Sequence, residues 1–215
     1  MKVYGYSERG MINSLMFNIS EDKDLMIKFM EILPEQISQE NEIPTDFDVI
    51  IEPSFSAFGG SDLIVIAYYE NRKYKKVIFF EANVQPYGKI YNIEDELSSD
   101  RYVRFESNRL YAQLSAKQLL IEYIDYIKKG QPIKVDGDRS RRIGENEVVK
   151  RALKMIDGAK DYFYIGIVPN DIFSDETKRP KEFKLLLWED IEKFCVDNNL
   201  KKVLDMFEFN KGQIY

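Results

Sequence analysis

The chain predicts a mixed α/β domain with a central sheet sandwiched between helices, and three features carry that prediction. Two apolar, β-branched and aromatic runs, at about 61–69 and 75–84, flank the polar connection Glu70-Asn71-Arg72-Lys73, the pattern of a β-hairpin. A continuous apolar run, Tyr-Phe-Tyr-Ile-Gly-Ile-Val at 162–168, has strand length and suits a strand covered on both faces. Apolar residues at helical spacing come before, between and after these strands.

In chain order, residues 6–19 read as an amphipathic helix with Ser7 as N-cap and Met11, Leu15 and Ile19 at intervals of four. Residues 20–33 repeat the pattern, with Leu25, Met26, Phe29, Met30 and Leu33 as the apolar stripe and Pro34 as the stop. A polar loop at 36–46 leads to a first strand at 47–55, with Pro53 at its end or edge. The hairpin follows. Residues 85–106, with Pro86, Gly88 and the acids Glu94, Asp95, Glu96 and Asp100, read as the least regular stretch. A long helix is expected over 101–130, then a polar connection at 131–143. A helix at 145–156, the 162–168 strand, a charged loop at 173–181, a short strand at 183–188 and two helices at 188–198 and 199–207 complete the chain. No internal repeat or linker divides it, so residues 1–215 read as one domain, with a helical C-terminal extension from about 183.

Composition narrows the chemistry. The 215 residues are 44% apolar, enough for a proper core, and no apolar run approaches the roughly 18 residues of a membrane span. The single cysteine, Cys195, suits a reducing cytoplasm, and no signal-peptide core is evident near the N-terminus. Histidine is absent, which removes Ser-His and Cys-His nucleophile systems and histidine-based zinc sites. Any metal should therefore be a hard cation held by oxygen, such as magnesium, manganese or calcium. The net charge of −6 does not advertise nucleic-acid binding, although a local basic surface could provide it.

Two acids stand out in the hairpin. Asp62 follows the Gly59-Gly60-Ser61 turn at the start of one strand. Glu81 lies inside Val77-Ile78-Phe79-Phe80-Glu81 on the next, where alternation puts it on the face of Val77 and Phe79. A carboxylate there is costly unless a cation compensates it. Glu8 adds a third acid in the first turn of the first helix. Acid-x-polar spacing places Glu81 and Asn83 on one side of a strand. Clustered carboxylates of this kind can hold a metal that acidifies a water and neutralises charge on a phosphate.

The helix with Glu8, the Gly-Gly-Ser-Asp turn at 59–62, and Glu81-Ala82-Asn83 on the next strand resemble the PD-(D/E)xK nuclease superfamily, over roughly residues 5–170. The resemblance implies a restriction-endonuclease-like fold, a mixed central β-sheet flanked by helices. It also implies Asp62 and Glu81 as metal ligands, with the Ala82 carbonyl as a third and Glu8 assisting. At position 83 the pattern has lysine, and this chain has Asn83, which carries no charge. Lys117 on the following long helix is the candidate replacement, with Lys89 next. Gln113 is similar to a glutamine that some RecB-like members place near the metal. Arg139, Arg141 and Arg142 are candidate phosphate contacts.

The expected function is thus magnesium- or manganese-dependent cleavage of nucleic acid, DNA before RNA, with a homodimer left open. Two alternatives stand beside it. One is a catalytically degenerate binding or assembly module of the same fold; the other is an unrelated α/β domain acting through protein partners.

Overall fold

The computed structural model describes residues 7–35, 37, 42–85, 91–97, 109–136, 139–141, 146–174 and 181–212. It is a mixed α/β protein: a five-stranded sheet in the order β1-β2-β3-β6-β7 carries helices on both faces. Strands β1 (Asp46–Ile51), β2 (Leu63–Tyr69) and β3 (Tyr74–Ala82) are antiparallel neighbours. Strands β6 (Asp161–Val168) and β7 (Lys184–Leu187) then add in parallel beside β3.

Alternation along the strands decides which helices cover which face. Leu63, Val65, Ala67, Ile78, Phe80, Ala82, Ile165 and Ile167 point to one side. They pack there against α1 (Ser7–Ile19), α2 (Lys23–Glu31), α7 (Trp188–Asp197) and α8 (Lys201–Phe209). Ile64, Ile66, Val77 and Phe79 point the other way, toward α4 (Leu110–Glu122), α5 (Ile124–Lys128) and α6 (Glu147–Ile156). The segment from about 183 is built into this architecture, since β7 is the sheet's edge strand and α7 and α8 fill one face of the core.

Several boundaries differ from the sequence reading for identifiable reasons. β1 stops at Ile51, because Glu52 takes a left-handed conformation (φ 49°) and Pro53 follows. The expected 101–130 helix begins, within the described residues, at Leu110; residues 101–108 lie outside them. It breaks at Tyr123 (φ −108°, ψ 18°) into α4 and α5. The expected polar connection at 131–143 holds a small hairpin, β4 (Ile133–Asp136) with β5 (Arg139–Arg141). Of the stretch 85–106, residues 85 and 91–97 are described, and they include a short helix, α3 (Ile93–Glu96), capped by the Asn92 side chain. Among the described residues no helix is long and apolar enough to cross a membrane.

Among the described residues two lysines are buried, near opposite ends of β3's reach. Lys76, near the start of β3, is 1% exposed and pairs with Glu42 at 2.6 Å. Lys117, on α4, is also 1% exposed and meets the far end of the strand.

Candidate active site around Glu81 and Lys117

The site forms where β3 ends beneath α4. Glu81 sits on the α4 side of the sheet, as alternation with Val77 and Phe79 requires, and is 1% exposed. Directly beside it in the parallel register is Gly166 of β6. A Cβ on Gly166 would lie 2.6 Å from Leu110 Cδ2, so glycine here lets the Leu110 side chain, from the first residue of α4, seat directly against β6. Two turns along α4, Lys117 Nζ reaches 3.0 Å from Glu81 Oε1. Its other neighbours are main-chain carbonyls, Phe58 O at 3.3 Å and Gln113 O at 3.4 Å.

The turn before β2 completes the pocket around this ammonium. Gly59 has φ +76°, a conformation glycine adopts without penalty, and its Cα side faces Lys117. Ser61 Oγ donates to Phe80 O at 2.9 Å and so ties the turn to β3. Asp62 is then held against the end of β3, with Oδ2 accepting from the Ala82 N–H at 2.8 Å. Ala82 thus enters the cluster through its amide.

The electrostatics follow from burial. Desolvation raises the Glu81 carboxyl to about 7, against the attraction of Lys117 and with a further push from Asp62. Asp62 is raised as well, first by burial, with the Ala82 N–H opposing and the charge of Glu8 adding to the rise. Glu8 is half-buried on α1 and acts on Asp62 through this charge. Arg9, its neighbour, places Nε 3.6 Å from Asp62 Oδ1 while 63% of its side chain stays exposed. One turn on, Asn13 donates to Glu52 Oε1 at 3.0 Å.

These shifts give a pH prediction with a defined sign. The folded protein keeps a proton on Glu81 at pH values where the unfolded chain has already lost it. Stability from this group is therefore fully present below about 4.5 and is lost as pH rises toward about 7. Urea melts across that window are expected to show wild type losing stability that Glu81→Gln does not lose. Parallel curves would mean that Glu81 titrates as an ordinary carboxylate.

Of the residues singled out in the sequence, the structure gathers Asp62, Glu81, Ala82 and Lys117 at one end of the sheet, while Glu8 on α1 is near enough for its charge to act on Asp62. Gln113 lies one turn before Lys117 on the same side of α4. Asn83 is turned to other work: its amide donates to Glu96 Oε2 at 3.0 Å, and its carbonyl accepts from Trp188 Nε1 at 2.8 Å. Lys89 and Arg142 lie outside the described residues. Arg139 and Arg141 belong to β5, where only the backbone is described. Sequence reasoning did not single out Arg9 or Glu96 for the site. Arg9 is one place from Glu8 in the first helical turn, which is the signal that could have found it.

The oxygen chemistry suits a hard divalent cation. Besides the Asp62 and Glu81 carboxylates, Gln113 Oε1 is buried without a hydrogen-bond partner among the described residues. Among the described residues, however, no three acidic, cysteine or histidine side chains are arranged to hold a metal by themselves. A surface groove between α2 and α7, lined by Lys28, Glu31, Asp190, Lys193, Asp197 and Asn198, lies across the sheet from Glu81 and includes none of these acids.

Comparison with known proteins adds no identity: no family model, curated protein or solved structure matches this chain.

Proposed function

We propose that this protein is a magnesium- or manganese-dependent nuclease of the PD-(D/E)xK type, with DNA as the first substrate to test. The observation that carries the reading is the buried contact of Lys117 with Glu81, 3.0 Å apart and beside Asp62. A lysine from α4 there offers the positive charge that position 83 lacks. The element order α1-β1-β2-β3-α4-β6 supports the same reading.

In this reading Asp62 and Glu81 hold the cation, with Gln113 Oε1 as a neutral oxygen close by. When bound, the metal would acidify a water and offset charge on the scissile phosphate. Lys117 keeps a fixed positive charge next to the reacting centre in a water-poor setting, where such charge acts most strongly. Arg9, exposed and already beside Asp62, meets the incoming phosphate backbone. Because Glu81 must be ionised to hold a cation, and burial raises its carboxyl to about 7 in the metal-free protein, metal affinity is expected to rise with pH through about 7.

The test is cleavage of single- and double-stranded DNA and RNA with manganese or magnesium, with and without chelator, against Asp62→Ala prepared identically. Chelator-sensitive cleavage by wild type and none by the variant is the expected result. Cleavage that survives Asp62→Ala would place the chemistry elsewhere. A second reading, a binding module of the same fold without catalysis, is favoured by the absence of a three-acid group among the described residues. Metal-independent DNA binding with no cleavage of any substrate would select it.

A further inference from the structure

We propose that Glu96 is a positioning residue: it pins the first turn of α4 to the end of β3 and thereby sets Lys117 against Glu81. Its Oε2 accepts two hydrogen bonds, from Asn83 Nδ2 at 3.0 Å and from the Leu110 N–H at 3.1 Å. The second bond supplies what α4 lacks locally. The N-cap position of α4 is Arg109, which makes no side-chain capping hydrogen bond. The first N–H groups of a helix have no partner within it, and an acceptor bearing negative charge is the favourable solution. Glu96 provides that acceptor from a different element.

The other end of the tie is rigid. Asn83 donates its own N–H to Ile167 O at 2.8 Å and accepts from Trp188 Nε1 at 2.8 Å, so it is fixed to β6 and α7. Glu96 is held in turn by α3, whose Asn92 cap accepts from Glu94 N at 3.0 Å. Leu110 is fully buried and stands seven residues before Lys117, about 10 Å along a helix. A helix moves as a rod over that length, so a displacement at Leu110 reaches Lys117 largely undiminished. Asn83 thereby has a role that does not require charge. It stands where the superfamily pattern has lysine and anchors the helix that carries a lysine to the same place.

The effect of Glu96 on cleavage rests on the nuclease reading; its effect on Lys117 does not, and the experiment separates them. Native protein is treated briefly with an amine-acetylating reagent, and modification of Lys117 and Lys76 is read by mass spectrometry. Both lysines are 1% exposed, and Lys76 is an internal control because its partner Glu42 is outside the tie. Glu96→Ala is expected to raise Lys117 modification about tenfold or more, as loss of a charge-assisted hydrogen bond allows, with Lys76 unchanged. Glu96→Gln keeps an acceptor oxygen and is expected to restore most of the protection. Asn83→Ala cuts the tie at its other end and should reproduce the selective effect. Unchanged Lys117 protection in Glu96→Ala overturns the proposal, and so does a joint rise at Lys76 and Lys117, which marks a general stability element. Where cleavage is measurable, Glu96→Ala should lower kcat with KM little changed, and Glu96→Gln should recover it. Absence of cleavage in every form would remove the nuclease reading and leave the labelling result to decide the positioning role.

Discussion

Lys117→Met is expected to destabilise the protein strongly at pH 8, weakly at pH 5, and, under the proposed nuclease reading, to abolish cleavage at both. Methionine keeps most of the volume of the lysine stem, so packing changes little. The ammonium is lost, and Glu81, 1% exposed, is left as a buried acid with its nearest cation removed. Breaking a buried pair in this way costs about 3–5 kcal/mol when the remaining charge stays ionised. Below the pH at which Glu81 ionises, the acid escapes that cost by keeping its proton. Urea melts at the two pH values read the difference directly. The double variant Lys117→Met/Glu81→Gln removes both charges and should regain most of the stability at pH 8. It should not regain the proposed cleavage, because about 10²–10³-fold of rate is typical for loss of one fixed electrostatic group and the proposed metal ligand is lost as well. A double variant as active as wild type would make the pair structural only.

Much of this site can be read from the pattern of β3. Glu81 interrupts an apolar alternation, and the side it must face follows from Val77 and Phe79. The structure puts it on that side, under α4. Lys117 comes into view through the resemblance alone: the nuclease pattern has lysine where this chain has Asn83, which directs attention to lysines on the next helix. The hairpin β4–β5 was legible in principle, since Asp136-Gly137 between two short polar-apolar runs is a turn signal.

What escapes the sequence depends on contacts between distant segments. Glu96 is one of four acids in a short stretch, and nothing local distinguishes the one that meets Leu110 and Asn83. Arg9 looks like any exposed helical arginine until α1 is docked beside β2. The break at Tyr123 is equally silent, because the apolar spacing from 110 to 127 continues through it. Gly166 is the clearest case. Inside an apolar strand a glycine reads as a weakness or a bulge, yet here it is the hollow that admits the end of another helix.

Gly166→Ala should therefore injure the site although it touches none of its charged groups. The glycine does not occupy the left-handed region, so a side chain causes no backbone strain there, and the whole effect is steric. The new methyl would meet Leu110 Cδ2 at 2.6 Å, Leu185 Cδ2 at 3.2 Å and Leu110 Cδ1 at 3.3 Å, and Leu110 is itself fully buried. Overpacking of this kind costs about 1–3 kcal/mol, and to the extent that the Leu110 and Leu185 side chains do not turn aside, relief comes by lifting the start of α4 from the sheet. That motion draws Lys117 away from Glu81, so cleavage is expected to fall together with the melting temperature. Leu110→Ala alone should cost about 2–5 kcal/mol through the cavity it leaves. Combined, the two changes should be less harmful than their sum, by a coupling on the order of 1 kcal/mol, because the added methyl then fills part of the space the leucine vacated. Recovery of cleavage in the double variant would tie activity to the height of α4 above β6. Strict additivity would mean that Gly166 and Leu110 act on the protein separately, and that the close approach does not set the geometry of the site.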